Sequence, residues 1–308
     1  MSVAYVVERL LQALVTLFLL SIIVFGLARL TGDPVSLMAP MEATPEDIAN
    51  IRASLGLDKS LPTQYWIFIS NALQGDFGQS VKWNRPAAEM ILERFPATVV
   101  LSLSAMLFGL ALAIPVGIWS AVRRDTWFDS VGKVIALVGQ SMPTFWFGIL
   151  LILVFALQLH LLPTSGYGLG AHLLLPTVTL GVFVAASIMR ITRSSMLDAL
   201  QADYVRTARS KGVPQWRMVL VHALKNAAIP IVTITALQGA TILRGAVVTE
   251  TVFAWPGVGK IAIDAVYGRD FPLVQAAVMF MGVVFLAVNI LVDLVYVALD
   301  PRIDYKKQ

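Results

Sequence analysis

Six separate stretches of this 308-residue chain are apolar for long enough to cross a lipid bilayer, and they constrain its fold more than any motif in it. A hydrocarbon core takes about 20 apolar residues of helix. Backbone groups placed there must be satisfied within the segment, so each stretch is read as a helix. The stretches run approximately from Leu10 to Leu30, Ala97 to Val122, Val131 to Leu159, His172 to Met189, Ala227 to Thr249 and Pro272 to Leu299. Pro115, Pro143, Pro176 and Pro230 fall inside them. Each proline removes a backbone donor, which predicts bent spans packed in a bundle whose neighbours satisfy the freed carbonyls. Only 14% of the residues are charged, against roughly a quarter in a soluble domain. Lipid therefore replaces water around much of the surface. The N-terminal run from Arg9 to Ala28 ends in a small-x-small triplet, Gly26-Leu27-Ala28. It exceeds the about 7–15 apolar residues of a signal peptide, so it is read as a retained first span.

The net charge is +4, but the basic residues sit in the connections between apolar runs. That distribution belongs to a membrane protein and not to a nucleic-acid binder. The termini and the second and fourth connections hold fourteen Lys and Arg, and the other side holds seven, five of them in the long segment after the first span. The count predicts cytoplasmic termini. The long segment itself, residues 31–96, reads as a small outside module. It opens with a Gly32-Asp33-Pro34 turn, and Thr44 caps a helix with Pro45 at its first position. Tyr65, Trp66 and Phe68 suit a headgroup layer. The chain contains no cysteine, which excludes disulfides and thiolate metal sites.

The longest basic run between two spans is Asp203 to Pro230. It reads as two short helices with a break. Leu197, Leu200, Tyr204 and Ala208 recur at spacings of three and four and would share one helical face, beside a cationic ridge of Arg206 and Arg209. Gly212 ends that helix and Pro214 suits the first turn of the next. Trp216, Val219, Leu220, Ala223 and Ala227 make a second apolar stripe. Such an elbow is too amphipathic to cross lipid, so it lies on headgroups or on a partner protein; a loop that only sets topology is the plainer alternative.

Two motifs tempt and fail on residue chemistry. AWPGVGKI, Ala254 to Ile261, lacks the first glycine and the final hydroxyl of a phosphate-binding loop, G-x-x-x-x-G-K-S/T. Thr164-Ser165-Gly166-Tyr167-Gly168 is one substitution from the carbonyl ladder of potassium filters. Pro163 follows directly on the third span, which leaves no room for a pore helix. A tetrameric cation channel is nevertheless the competing reading from another class. A proton-coupled secondary carrier is the third; it wants several intramembrane acids and repeated halves. Here Asp293 is the deep carboxylate, expected to pair with an arginine such as Arg190 or to snorkel, and no repeat is visible. Charges within spans are informative. Arg244 and Glu250, six residues apart, are read either as a structural ion pair or as part of a translocation path or gate.

The elbow resembles the cytoplasmic coupling loop of ABC importer permeases, whose pattern is E-A-A, three residues, Gly, then I-x-L-P. Arg206-Thr207-Ala208 falls on E-A-A and Gly212 has the matching offset. YVRTARSKG is especially similar to the oligopeptide/dipeptide/nickel/glutathione branch. LGLDKSLPTQYW, SMPTFWFG, ETVFAWPGVG and RDFPLVQA extend the resemblance along nearly the whole chain. Arg206 departs from the glutamate, and His222-Ala223-Leu224-Lys225 lacks the proline. The resemblance implies an all-α polytopic protein of the bacterial inner membrane. It would have a first span over 1–30, an extracytoplasmic module over 31–96, a five-span permease core over 97–299 with its coupling loop at 193–226, and a cytoplasmic tail over 300–308. It further implies a second permease subunit, with a paralogue heterodimer favoured, two cytoplasmic ATPase subunits and an extracytoplasmic binding protein. ATP would be used by those partners, with no cofactor on this chain and no catalysis by it. Tyr204, Arg206, Thr207, Ala208, Arg209 and Gly212 would form the ATPase-coupling site, and the cargo would be short peptides or related solutes.

Overall fold

The computed structural model describes residues 3–30, 44–54 and 57–299. The turn expected at residues 32–34 and the tail from residue 300 lie outside them. Among the described residues there are eleven helices: α1 Val3–Leu30, α2 Pro45–Ser54, α3 Leu61–Leu73, α4 Ala87–Val122, α5 Trp127–Ser141, α6 Thr144–Gln158, α7 Ala171–Gln201, α8 Asp203–Ser210, α9 Gln215–Val252, α10 Val258–Tyr267 and α11 Phe271–Leu299. Within them, no strand longer than the isolated Gln79–Pro86 bridge forms. Five helices are long and apolar enough to span a membrane, and six spans result if α5 and α6 count as one.

That pair corrects the third predicted span. The apolar stretch does not run straight: its two halves meet at 107°. Pro143 cannot donate to a helix ladder, and it pushes the residue before it out of helical geometry. Pro143 instead caps α6 with φ −60° and ψ 130°. By contrast α7 and α9 continue through Pro176 and Pro230. Polar flanks also join the helices, so α4 starts ten residues before Ala97 and α7 runs twelve past Met189.

The chain divides into two compact units, residues 1–96 with 257–287, and residues 97–256 with 288–308. In the first, Ala87, Met90 and Ile91 of α4 pack with Val258, Ile261 and Ala265 of α10 and Leu273 and Ala277 of α11. Thr44 caps α2 reciprocally with Asp47, its hydroxyl accepting from the Asp47 N–H at 3.2 Å. Tyr65 and Phe68 are half-buried against Phe25 of α1. Tyr65 packs edge-on against Phe25 of α1 and shares a hydrogen bond with Ser21 at 2.8 Å, which leaves Trp66 as the exposed ring of the three. Buried Asp270 accepts from Ser80 and from the Leu273 N–H at 3.3 Å, capping the start of α11.

In the second unit α7 is the central helix, with 61% of its apolar window buried against 33% or less for the other continuous spans. Small residues permit close backbone approach, the usual packing device of membrane helices. A Cβ on Gly117 of α4 would stand 2.9 Å from the Met189 carbonyl oxygen, and one on Gly181 of α7 would stand 2.8 Å from that of Ala105. Trp255 is fully buried, and its indole N–H donates to the Ala97 carbonyl at 2.9 Å. It anchors the core of the unit.

Candidate functional site

The elbow is built from two abrupt changes of backbone direction. Ala202, at φ −70° and ψ 152°, breaks the helix between α7 and α8, and its carbonyl accepts from the Val205 and Arg206 N–H groups. The break corrects the expected continuous face: Leu197 and Leu200 belong to α7, while Tyr204 and Ala208 belong to α8. The residue that pins α8 is Val205, 1% exposed, which the three-four spacing passed over. At the far end the Val213 N–H reaches the Ala208 carbonyl at 3.2 Å and the Gly212 N–H reaches Arg209 at 3.0 Å. These are the paired bonds of a Schellman motif, which wants a left-handed residue between them. Gly212 supplies it, at φ +74°.

Pro214 is the cap of the next helix and not its first residue. That helix does not stop as a separate short element. It continues as α9 through a π-helical stretch, Met218–Ala223, which takes in the first two of the four positions compared with I-x-L-P, and Leu224 and Lys225 follow in regular α-helix. Met218, Val219, Ala223 and Ala227 are buried, whereas Trp216 and Leu220 are 64% and 52% exposed. The predicted second stripe therefore splits between two faces. The outward one carries Tyr204, Trp216, Leu220 and Val221, with Arg206, Thr207, Arg209, Lys211 and Arg217 also exposed. Arg206 is held loosely by Asp203 at 3.3 Å in an open ion pair. The elbow thus exposes large apolar side chains and cations together, which makes it the candidate interaction surface of the chain.

A buried carboxylate fixes the lower part of α7 ahead of this elbow. Asp129 of α5 receives Arg193 through two bonds, Nε to Oδ1 at 2.6 Å and Nη2 to Oδ2 at 2.8 Å. Lys133 approaches at 2.8 Å, and the Ser120 hydroxyl and the Asp125 N–H complete its shell. The sequence shows the Asp129–Lys133 spacing, which suits one helix face. It gives no sign that Arg193, 64 residues on, is the stronger partner. Arg190, one arginine considered for Asp293, lies exposed on the rim of a neighbouring cavity with Lys133 and Ser194.

Arg244 and Glu250 do not pair. Six residues at 3.6 per turn put them about 120° apart around α9. Glu250 is fully buried and accepts from the Thr98 hydroxyl at 2.6 Å. Arg244 is exposed, reaches among the described residues Thr241 Oγ1 at 3.5 Å, and lines a cavity of about 320 Å³. The filter-like segment is a loop between α6 and α7. Its Gly166 N–H donates to the Phe253 carbonyl at 3.2 Å, His172 engages the Ser165 carbonyl, and Tyr167 packs edge-on against Trp255. These contacts use the segment as a strap against Phe253 and Trp255.

Residues 113–305 match the family described as binding-protein-dependent transport system inner membrane component, and residues 2–102 match the N-terminal model of the same component. The glutathione transport system permease protein GsiC of Escherichia coli strain K12 is 44% identical over 303 residues, covering 98% of this chain and 99% of that protein. The protein of the same description from Salmonella choleraesuis is 43% identical over the same length. Among solved structures, an inward-facing form of the MetNI methionine ABC transporter superposes with a TM-score of 0.59 at 17% identity, over 68% of this chain and 96% of that one. That likeness concerns the fold. The agreement of family and full-length relatives makes this chain a multi-pass member of the inner-membrane permease family of binding-protein-dependent ABC importers.

Proposed function

We propose that the chain is one of two permease subunits of an importer for glutathione-like or short peptide solutes, and that its elbow is where ATPase subunits dock. In this reading an extracytoplasmic binding protein delivers the solute, and a paralogous permease completes the path. Two cytoplasmic ATPases bind and hydrolyse ATP, while this chain binds no cofactor and catalyses nothing. Both termini share the cytoplasm with the elbow. The observation that carries the reading is the exposed face around Tyr204, Arg206, Thr207 and Arg209, set on a short helix whose ends are fixed by Ala202 and Gly212. Rigid elements of this kind pass displacement on as whole bodies. Closure and reopening of the ATPase pair would thereby swing α7 and α9 and alternate access to the path. The glutathione named for the relatives supports the solute class.

The natural absence of cysteine makes the test clean. A single cysteine replacing Tyr204 or Thr207 should cross-link to an ATPase subunit in the assembled complex. Cross-linking to the binding protein, or labelling by an impermeant thiol reagent from outside the cell, would overturn the placement.

A further inference from the structure

After Lys225, α9 carries no charged residue until Arg244, which sits in an otherwise apolar run with Glu250 as the next. A cation within a membrane segment is retained where it meets a partner or a water-filled path. The acid on its own helix is not that partner, because Glu250 is buried on another side. The Thr241 hydroxyl, at 3.5 Å, is at the outer limit of a hydrogen bond. The guanidinium instead stands at a cavity walled by Thr144 at the start of α6, Leu180, Phe183 and Val184 of α7, and Thr241 of α9. Among the described residues no acidic side chain lines it, so the lining brings one positive charge together with two hydroxyls.

We infer that this cavity binds a carboxylate of the passing solute, with Arg244 as the residue that recognises it. The inference rests on the reading of the chain as a solute permease. A guanidinium offers two parallel N–H donors matched to the two oxygens of a carboxylate. The apolar wall from α7, Leu180, Phe183 and Val184, would take the carbon atoms next to the charged group. A volume of about 320 Å³ lies at the small end of ligand sites. It admits one end of a peptide and not the whole of it. The cavity therefore reads a terminus and leaves the remainder of the solute unselected.

The test uses the complete complex of both permeases, ATPases and binding protein in phosphatidylcholine vesicles. Initial ATP-driven uptake is measured for glutathione and for its glycine-amide form, each normalised to binding-protein occupancy. The wild type should favour the free acid by about tenfold, the order expected for a charge-assisted pair. Arg244→Gln should bring the ratio near one, and Arg244→Lys should restore part of it. An unchanged ratio in Arg244→Gln overturns this inference and leaves the permease reading intact. Loss of the assembled complex in Arg244→Gln on size exclusion would also overturn it, because the guanidinium would then be an interface group. Failure of the wild type to take up either form would overturn the reading of the solute class and this inference with it.

Discussion

At Gly212 the backbone holds φ +74°, and nothing lies within 4 Å of where a Cβ would be. The constraint there is torsional and not steric. A β-branched side chain in the left-handed region costs about 1–2 kcal/mol, whereas asparagine visits it readily. Gly212→Val should therefore reopen the Schellman turn and cut uptake per ATP hydrolysed several-fold, with the protein still in the membrane. Gly212→Asn should keep most of that ratio. Equal coupling in all three proteins would remove the hinge role. Glycine at this offset is plain in the sequence, and so is its purpose, since a helix stop needs only local chemistry. Val205 is a different matter. Its neighbour Tyr204 fits the apolar spacing better, and only the break at Ala202 turns the helix so that Val205 faces inward.

Among elements, α5 and α7 are joined through Asp129 and Arg193, whose side chains are 0% and 21% exposed. Removing one member of a buried pair strands the other, at about 3–5 kcal/mol. The remaining exposure of Arg193 places this case near the lower end of that range. Asp129→Ala should lower the thermal midpoint of the purified complex clearly. Lys133→Ala should change it little, because that amine is 48% exposed and screened. Similar midpoints for the two variants would mean that the clamp is not centred on Arg193. The helices themselves are legible in the sequence because long apolar runs are a local property. Their bends and couplings are not. The 107° turn depends on Pro143 acting as a cap where Pro176 does not, and the two π-helical stretches, Ile152–Gln158 and Met218–Ala223, shift one hydrogen-bond register without any compositional mark. In the sequence Arg193 is one more connection cation; its pairing with Asp129 is long-range and leaves no periodicity behind.

For the whole molecule, the exposed elbow and the half-lined cavity at Arg244 belong to a subunit whose surfaces await others. The purified chain alone, in vesicles, should neither hydrolyse ATP nor accumulate glutathione. Both activities should appear only when the second permease, the ATPases and the binding protein are added. Uptake by the isolated chain would end the importer reading. One dimension of the fold bears on where such an assembly can live. Helix α4 has 36 residues, about 54 Å at 1.5 Å per residue, against a hydrocarbon slab of about 30 Å. Glu89, Glu93 and Arg94 near its start are exposed, so oil can begin only beyond them. What remains is still longer than the slab is thick. The rod can therefore slide or lean to suit thinner or thicker lipid without drowning a charge, and the same subunit should tolerate a range of acyl-chain lengths.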